Sequence, residues 1–147
     1  MAAQPEDHPA VAVFDYVGRI DNFFRATVGR HLPPGVSFAQ FQVLRLLERR
    51  GEGQTPAEIA RAIDAPKSAL TNTLQRLEQG GLIWSEASGE DARKKRVWLT
   101  PEGRDLYLAT VAATRPKMDS LRGAFTLDEF REALPFLKAL TAWFEED

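Results

Sequence analysis

Four consecutive cations, Arg93-Lys94-Lys95-Arg96, lead into Val97-Trp98-Leu99-Thr100, which alternates as a β-strand does and stops at Thr100-Pro101-Glu102, a helix-start signal. A second strand-like run at residues 82–87 precedes it, separated by Ser88-Gly89-Glu90-Asp91 and the cations. This is the layout of a β-hairpin with a basic tip. It restricts the fold strongly, because a lone two-stranded hairpin is marginal in water and needs helices to cover its apolar face.

The rest of the chain supplies those helices. Residues 8–30 carry Val13, Phe14, Val17, Ile20, Phe24 and Val28 at spacings of three and four, and Pro33-Pro34-Gly35 ends the run. Ser37-Phe38-Ala39-Gln40 has the form of a capping box, and the helix it starts turns Phe41, Leu44 and Leu47 inward before Gly51 and Gly53 break it. Thr55-Pro56-Ala57-Glu58 repeats the device with proline at the first helical position. That helix is short. Asp64-Ala65-Pro66 makes a turn, and residues 67–79 place Leu70, Leu74 and Leu77 on one side until Gly80-Gly81 closes the helix.

After the hairpin a helix runs through Leu106, Leu108, Val111 and Met118, with Pro116 as a candidate kink. Thr126-Leu127-Asp128-Glu129 caps the last helix, which carries Phe130, Leu134, Leu137, Leu140 and Phe144, with Pro135 a second candidate kink. The expected order is α-α-α-α-β-β-α-α. Short helix, turn, helix and basic hairpin in sequence define a winged helix-turn-helix, so the fold class is mainly α with a small β-hairpin (α+β).

Composition limits the chemistry. The 147 residues suit one domain and contain no cysteine, which removes disulfides, thiolate metal sites and cysteine nucleophiles. Only His8 and His31 could offer imidazole, so no metal site and no cofactor are expected. There is no glycine-rich phosphate loop and no nucleophile elbow, which sets an enzyme aside. No apolar run approaches the ~20 residues that span a bilayer, and residues 1–7 lack the pattern of a secretory signal, so a cytoplasmic protein is expected.

A net charge of −2 looks unpromising for a polyanion partner. Between Thr55 and Arg104, however, eight cations face seven acids, and half of those cations sit in one tetrapeptide. The field is focused at a point rather than spread over a face. On the helix at residues 67–79, Ser68, Thr71, Asn72, Gln75 and Gln79 fall opposite the leucines, and Lys67 and Arg76 flank them. Small hydrogen-bonding side chains are what base edges in a major groove require, and Arg76 can reach phosphate or a guanine. A polar helix face or a solvated charge run is commonplace singly; their order along this chain gives them meaning. Asp91 precedes Arg93 by two residues, close enough to hold the guanidinium extended toward a minor groove, leaving Lys94, Lys95 and Arg96 for phosphates.

Together, Thr55-Pro56-Ala57-Glu58-Ile59-Ala60, Pro66-Lys67-Ser68 with Thr71, Leu74 to Leu82, and Asp91-x-Arg93-x-x-x-Val97-x-Leu99-Thr100-Pro101-x-Gly103 resemble the MarR family of bacterial transcription regulators. The resemblance implies a single domain over residues 1–147, with residues 37–103 as the winged helix and residues 8–31 and 104–146 as dimerisation helices. It implies a homodimer that binds double-stranded DNA at a pseudo-palindromic operator, a repressor released by a small aromatic or phenolic effector. The DNA-binding residues expected are Lys67, Ser68, Thr71, Asn72, Gln75, Arg76, Asp91, Arg93, Lys94 and Lys95. The position of Asn72 is often arginine in the family, so a base preference does not transfer. The effector site is unmarked: Phe14, Tyr16, Phe23, Phe24, Arg25, His31, Phe38 and Phe41 lie in the relevant helices but read equally as core or dimer packing. The alternative is a winged helix used only for protein contacts, which would not need the basic tip.

Overall fold

The structure, a computed structural model, describes residues 8–87 and 95–146. Its elements are α1 (Pro9–Gly29), α2 (Phe38–Arg50), α3 (Pro56–Ile63), α4 (Lys67–Gln79), β1 (Ile83–Ala87), β2 (Lys95–Leu99), α5 (Pro101–Ala124) and α6 (Leu127–Glu145). The order is the one the sequence predicts, with boundaries displaced by one or two residues. The winged helix-turn-helix of mainly α character is therefore the observed fold.

Local chemistry explains the starts. Ser37 and Gln40, Thr55 and Glu58, and Thr126 and Glu129 form complete capping boxes, each side chain bonding the other's backbone N–H. At α1 the cap is His8, whose Nδ1 accepts from the Ala10 N–H at 3.0 Å, a role its sequence context did not reveal. Gly81 at φ +73° closes α4: the Leu82 N–H reaches the Leu77 carbonyl and the Gly81 N–H reaches Glu78, both at 3.0 Å. Helices α5 and α6 run on through Pro116 and Pro135.

The chain divides into two compact units, with the boundary after Ala112 inside α5. In the first unit the core gathers Leu44 and Leu47 of α2, Ile59 of α3, Leu70 and Leu77 of α4, Ile83, Val97 and Leu99 of the hairpin, and Tyr107 of α5. The strands pair antiparallel, with Ile83 opposite Leu99 and Trp84 opposite Trp98. Alternation puts Ile83, Val97 and Leu99 against the helices and stacks Trp84 on Trp98 on the other face, ring centroids 5.6 Å apart.

Two features lay beyond the sequence pattern. Gln54 pairs with Val97, adding the end of the α2–α3 loop to the hairpin as a third strand position. Gly103 in the first turn of α5 sits where a Cβ would come 2.0 Å from the Leu82 carbonyl oxygen. The buried face of α5 in this unit is Gly103, Tyr107 and Thr110, with Leu106 and Val111 half-buried against the core and the Thr110 hydroxyl donating to the Leu106 carbonyl at 2.8 Å; Leu108 is exposed.

Candidate nucleic-acid interface

Helix α4 is held by Leu70 and Leu77, which are 3% and 0% exposed, with Leu74 half-buried between them. That attachment turns the other side outward. Lys67, Ser68, Thr71, Asn72, Gln75 and Arg76 are all exposed, forming one polar face four turns long at most. The Thr71 hydroxyl donates to the Lys67 carbonyl at 2.8 Å, so in this rotamer its oxygen is left as an acceptor. The amides of Asn72 and Gln75 carry both donors and acceptors, the chemistry that distinguishes base pairs in a major groove.

The start of α4 differs from the other helix starts. Pro66 occupies its N-cap and makes no side-chain cap bond, whereas α1, α2, α3 and α6 each have one. The first N–H groups of α4 are therefore left to solvent or to an anion, at a helix start whose first residue is the exposed Lys67.

Of the basic hairpin, Lys95 and Arg96 open β2, both exposed. Asp91, Arg93 and Lys94 lie outside the described residues. Arg96 does not simply project toward a phosphate as its grouping with the other cations suggests: its Nη1 donates to the Gly53 carbonyl at 2.8 Å.

The base of the hairpin is fastened to the helices at several points. The Thr100 hydroxyl donates to the Gly81 carbonyl at 2.6 Å and accepts from the Gly103 N–H at 3.0 Å, tying the end of α4 to the start of α5. Arg104 pairs with Glu48 at 2.9 Å and with Glu52, joining α5 to the end of α2. The Glu48 hydrogen bond, then the charges of Glu48 and Glu52, raise the Arg104 pKa above its ordinary value, so the guanidinium stays charged. The indole Nε1 of Trp98 is buried without an acceptor, a local cost of about 1–3 kcal/mol set against the packing of its ring over Gly53.

The residues considered for an effector separate into two groups. Phe24, Phe38 and Phe41 join Tyr107 in a chain of ring contacts 5.6–6.0 Å apart, and the Arg25 guanidinium lies 4.7 Å over Phe38 while pairing with Asp21 at 2.7 Å. Phe14, Tyr16, Phe23 and His31 are exposed instead. Among the described residues no group of three His, Asp or Glu could hold a metal ion. No helix among them is long and apolar enough to cross a membrane.

A polar helix face beside a basic hairpin on this framework defines a winged helix-turn-helix protein. The model of the MarR family matches residues 35–94, the stretch from the approach to α2 into the hairpin. Over that segment the chain is similar to the MarR family of transcription regulators. Transcriptional regulator HosA of Escherichia coli O157:H7 is 30% identical over 82 residues, 56% of this chain, and the match spans only 60% of HosA. HTH-type transcriptional repressor Rv2887 of Mycobacterium tuberculosis is 28% identical over 123 residues, covering 83% of this chain and 88% of its own. Among solved structures, Bordetella bronchiseptica BpsR, described with the regulation of its DNA binding by 6-hydroxynicotinic acid, superposes with TM-score 0.75 at 23% identity, covering 88% of this chain and 98% of its own. That last similarity establishes the fold.

Proposed function

We propose that this chain is a cytoplasmic, sequence-specific DNA-binding transcription regulator, a repressor that acts as a homodimer on a pseudo-palindromic operator. The observation that carries the reading is the outward face of α4: six exposed side chains of groove-reading type on a helix whose opposite side is locked in the core. Lys67 and the uncapped helix start suit a phosphate, while Ser68, Thr71, Asn72, Gln75 and Arg76 suit base edges. Asp91, Arg93, Lys94 and Lys95 would reach the backbone and the adjacent minor groove from the hairpin. The family and the relative described as a repressor support the same reading.

Release by a small aromatic or phenolic effector is the second part of the proposal. It is supported by the aromatic chain of α1, α2 and α5 with its Arg25 cation, and by the small aromatic acid described with BpsR. Such a ligand releases DNA only by preferring the non-binding arrangement, by ~1–3 kcal/mol for ordinary coupling. A panel of aromatic acids and phenols should contain compounds that raise the melting temperature and weaken operator binding together.

Selection of bound duplexes from a random pool tests the main claim. A recovered two-fold motif is expected, and Asn72→Ala should flatten discrimination at one base pair per half-site, by ~1–3 kcal/mol. Arg93→Ala should instead lower the salt slope by roughly 0.9 per subunit. Recovery of random sequence, with retention by a protein partner instead, would favour an interaction module.

A further inference from the structure

Three constraints meet at Gly53, and all come from consecutive residues of β2. The Gly53 N–H donates to the Val97 carbonyl at 2.9 Å, its carbonyl accepts from Arg96 at 2.8 Å, and its bare Cα lies beneath Trp98. A Cβ there would come 2.9 Å from Trp98 Cη2, and the φ of +80° also favours glycine. One residue on, the Gln54 carbonyl accepts from the Val97 N–H at 2.8 Å, and one residue back, Glu52 pairs with Arg104 of α5. The short segment 51–54 is thus fixed to β2 on one side and to α5 on the other.

Its position in the chain gives this fastening a consequence. Thr55, the next residue, caps α3, and α3 leads through Asp64 into α4. The strand that carries the basic hairpin is therefore referenced to the base of the helix-turn-helix rather than to neighbouring strands alone. A two-stranded hairpin lacks rigidity by itself, and two reading elements that are ordered beforehand do not lose that freedom on binding.

We propose that Arg96 is a positioning residue of the DNA interface: by holding the Gly53 carbonyl it fixes the hairpin against the helix-turn-helix, so that hairpin and α4 meet a duplex in one register. The proposal rests on the DNA-binding reading above. It also separates Arg96 from Lys95 beside it. A phosphate needs a positive charge, whereas a backbone carbonyl needs only a donor at the right reach.

That difference sets the experiment. Arg96→Ala, Arg96→Gln and Lys95→Gln would be titrated by fluorescence anisotropy against the selected operator across a salt series, with thermal melts confirming that each is folded. Arg96→Ala should bind about tenfold more weakly, within the usual range of coupling between sites, with the parent's salt slope. Arg96→Gln, which discards the charge and keeps a donor about two bonds shorter than Nη1, should recover part of the affinity at the parent's salt slope. Lys95→Gln should lose slope by about 0.9 per subunit. In a Trp143→Phe background, the circular dichroism of the stacked Trp84–Trp98 pair should change in Arg96→Ala and return in part in Arg96→Gln.

The proposal is overturned if Arg96→Gln binds as weakly as Arg96→Ala and both lose salt slope, since Arg96 would then be a phosphate contact. It is equally overturned if Arg96→Ala binds like the parent. A parent protein that prefers no duplex over random DNA is a different result: it removes the DNA-reading function itself, and this proposal with it.

Discussion

The middle of the chain and its two ends bury their apolar residues in opposite ways. Between α2 and the start of α5, large side chains such as Leu44, Leu47, Ile59 and Leu77 are at most 1% exposed. Helix α6 has no buried residue at all, although Phe130, Leu134, Leu137 and Phe144 form one apolar stripe and Phe136 and Trp143 another. In α1 only Val28 is buried, while Ile20 and Phe23 are 65% and 66% exposed. A helix apolar on more than one side belongs in an interior. The winged helix completes its core from one chain; the ends have the surface of an interior without the neighbours, which is what the proposed homodimer would supply.

The largest expected effect therefore falls on the ends. Leu134→Asp should convert a dimer into a monomer at micromolar protein in size-exclusion chromatography with light scattering. Burying a leucine is worth about 1.5–3 kcal/mol, and a two-fold interface counts it twice, so dissociation should strengthen by at least a hundredfold. A parent protein that elutes as a monomer would break the comparison at its root, because the apolar ends would then need another occupant.

Next comes a pair of glycines in one helix, one in each compact unit. A Cβ on Gly103 would strike the Leu82 carbonyl, a backbone atom that cannot swing aside, whereas a Cβ on Gly123 would meet nothing within 4 Å. Gly103→Ala should cost about 3 kcal/mol, the upper end of ordinary overpacking, read as a lower urea midpoint. Gly123→Ala should instead gain a few tenths to about 1 kcal/mol, since alanine loses less backbone freedom in a helix. Equal effects at both positions would mean that the closing of the hairpin onto α5 is not the rigid point described here.

The same contrast explains how much was legible in the sequence. Helix starts were readable because a capping box is complete within four residues, as at Ser37–Gln40 and Thr55–Glu58. The exposed side of α4 was readable because leucine spacing alone decides which residues point away. What escaped was long-range: Arg96 reaches Gly53 across 43 residues, and Arg104 reaches Glu48 across 56. A single bridge such as Gln54 to Val97 leaves no periodic trace. The exposure of α1 and α6 was legible only through the expectation that these ends are dimerisation helices, because apolar periodicity marks a face to be covered without saying which chain covers it. Asp91, Arg93 and Lys94, which the sequence places at the hairpin tip, lie outside the described residues and rest on the sequence alone.

The smallest expected effect is an acid lever at the start of α6. The backbone N–H and the hydroxyl of Thr126 both donate to Glu129 Oε1 at 3.0 Å and hold its carboxyl below the ordinary glutamate range. A carboxyl with a depressed folded pKa contributes stability that is complete above its unfolded value, about 4.3 for glutamate, and disappears as pH falls through the folded value. The first turn of α6 should hold at neutral pH and loosen only under acid. Thr126→Ala removes the hydroxyl bond, so Glu129 should titrate closer to an ordinary glutamate, with loosening at a higher pH. Carbon-detected titration of the Glu129 carboxyl in parent and variant reads this directly. Identical midpoints would show that the capping box leaves the charge of Glu129 unaffected, and that the start of α6 is held by packing instead, contrary to the exposure of that helix.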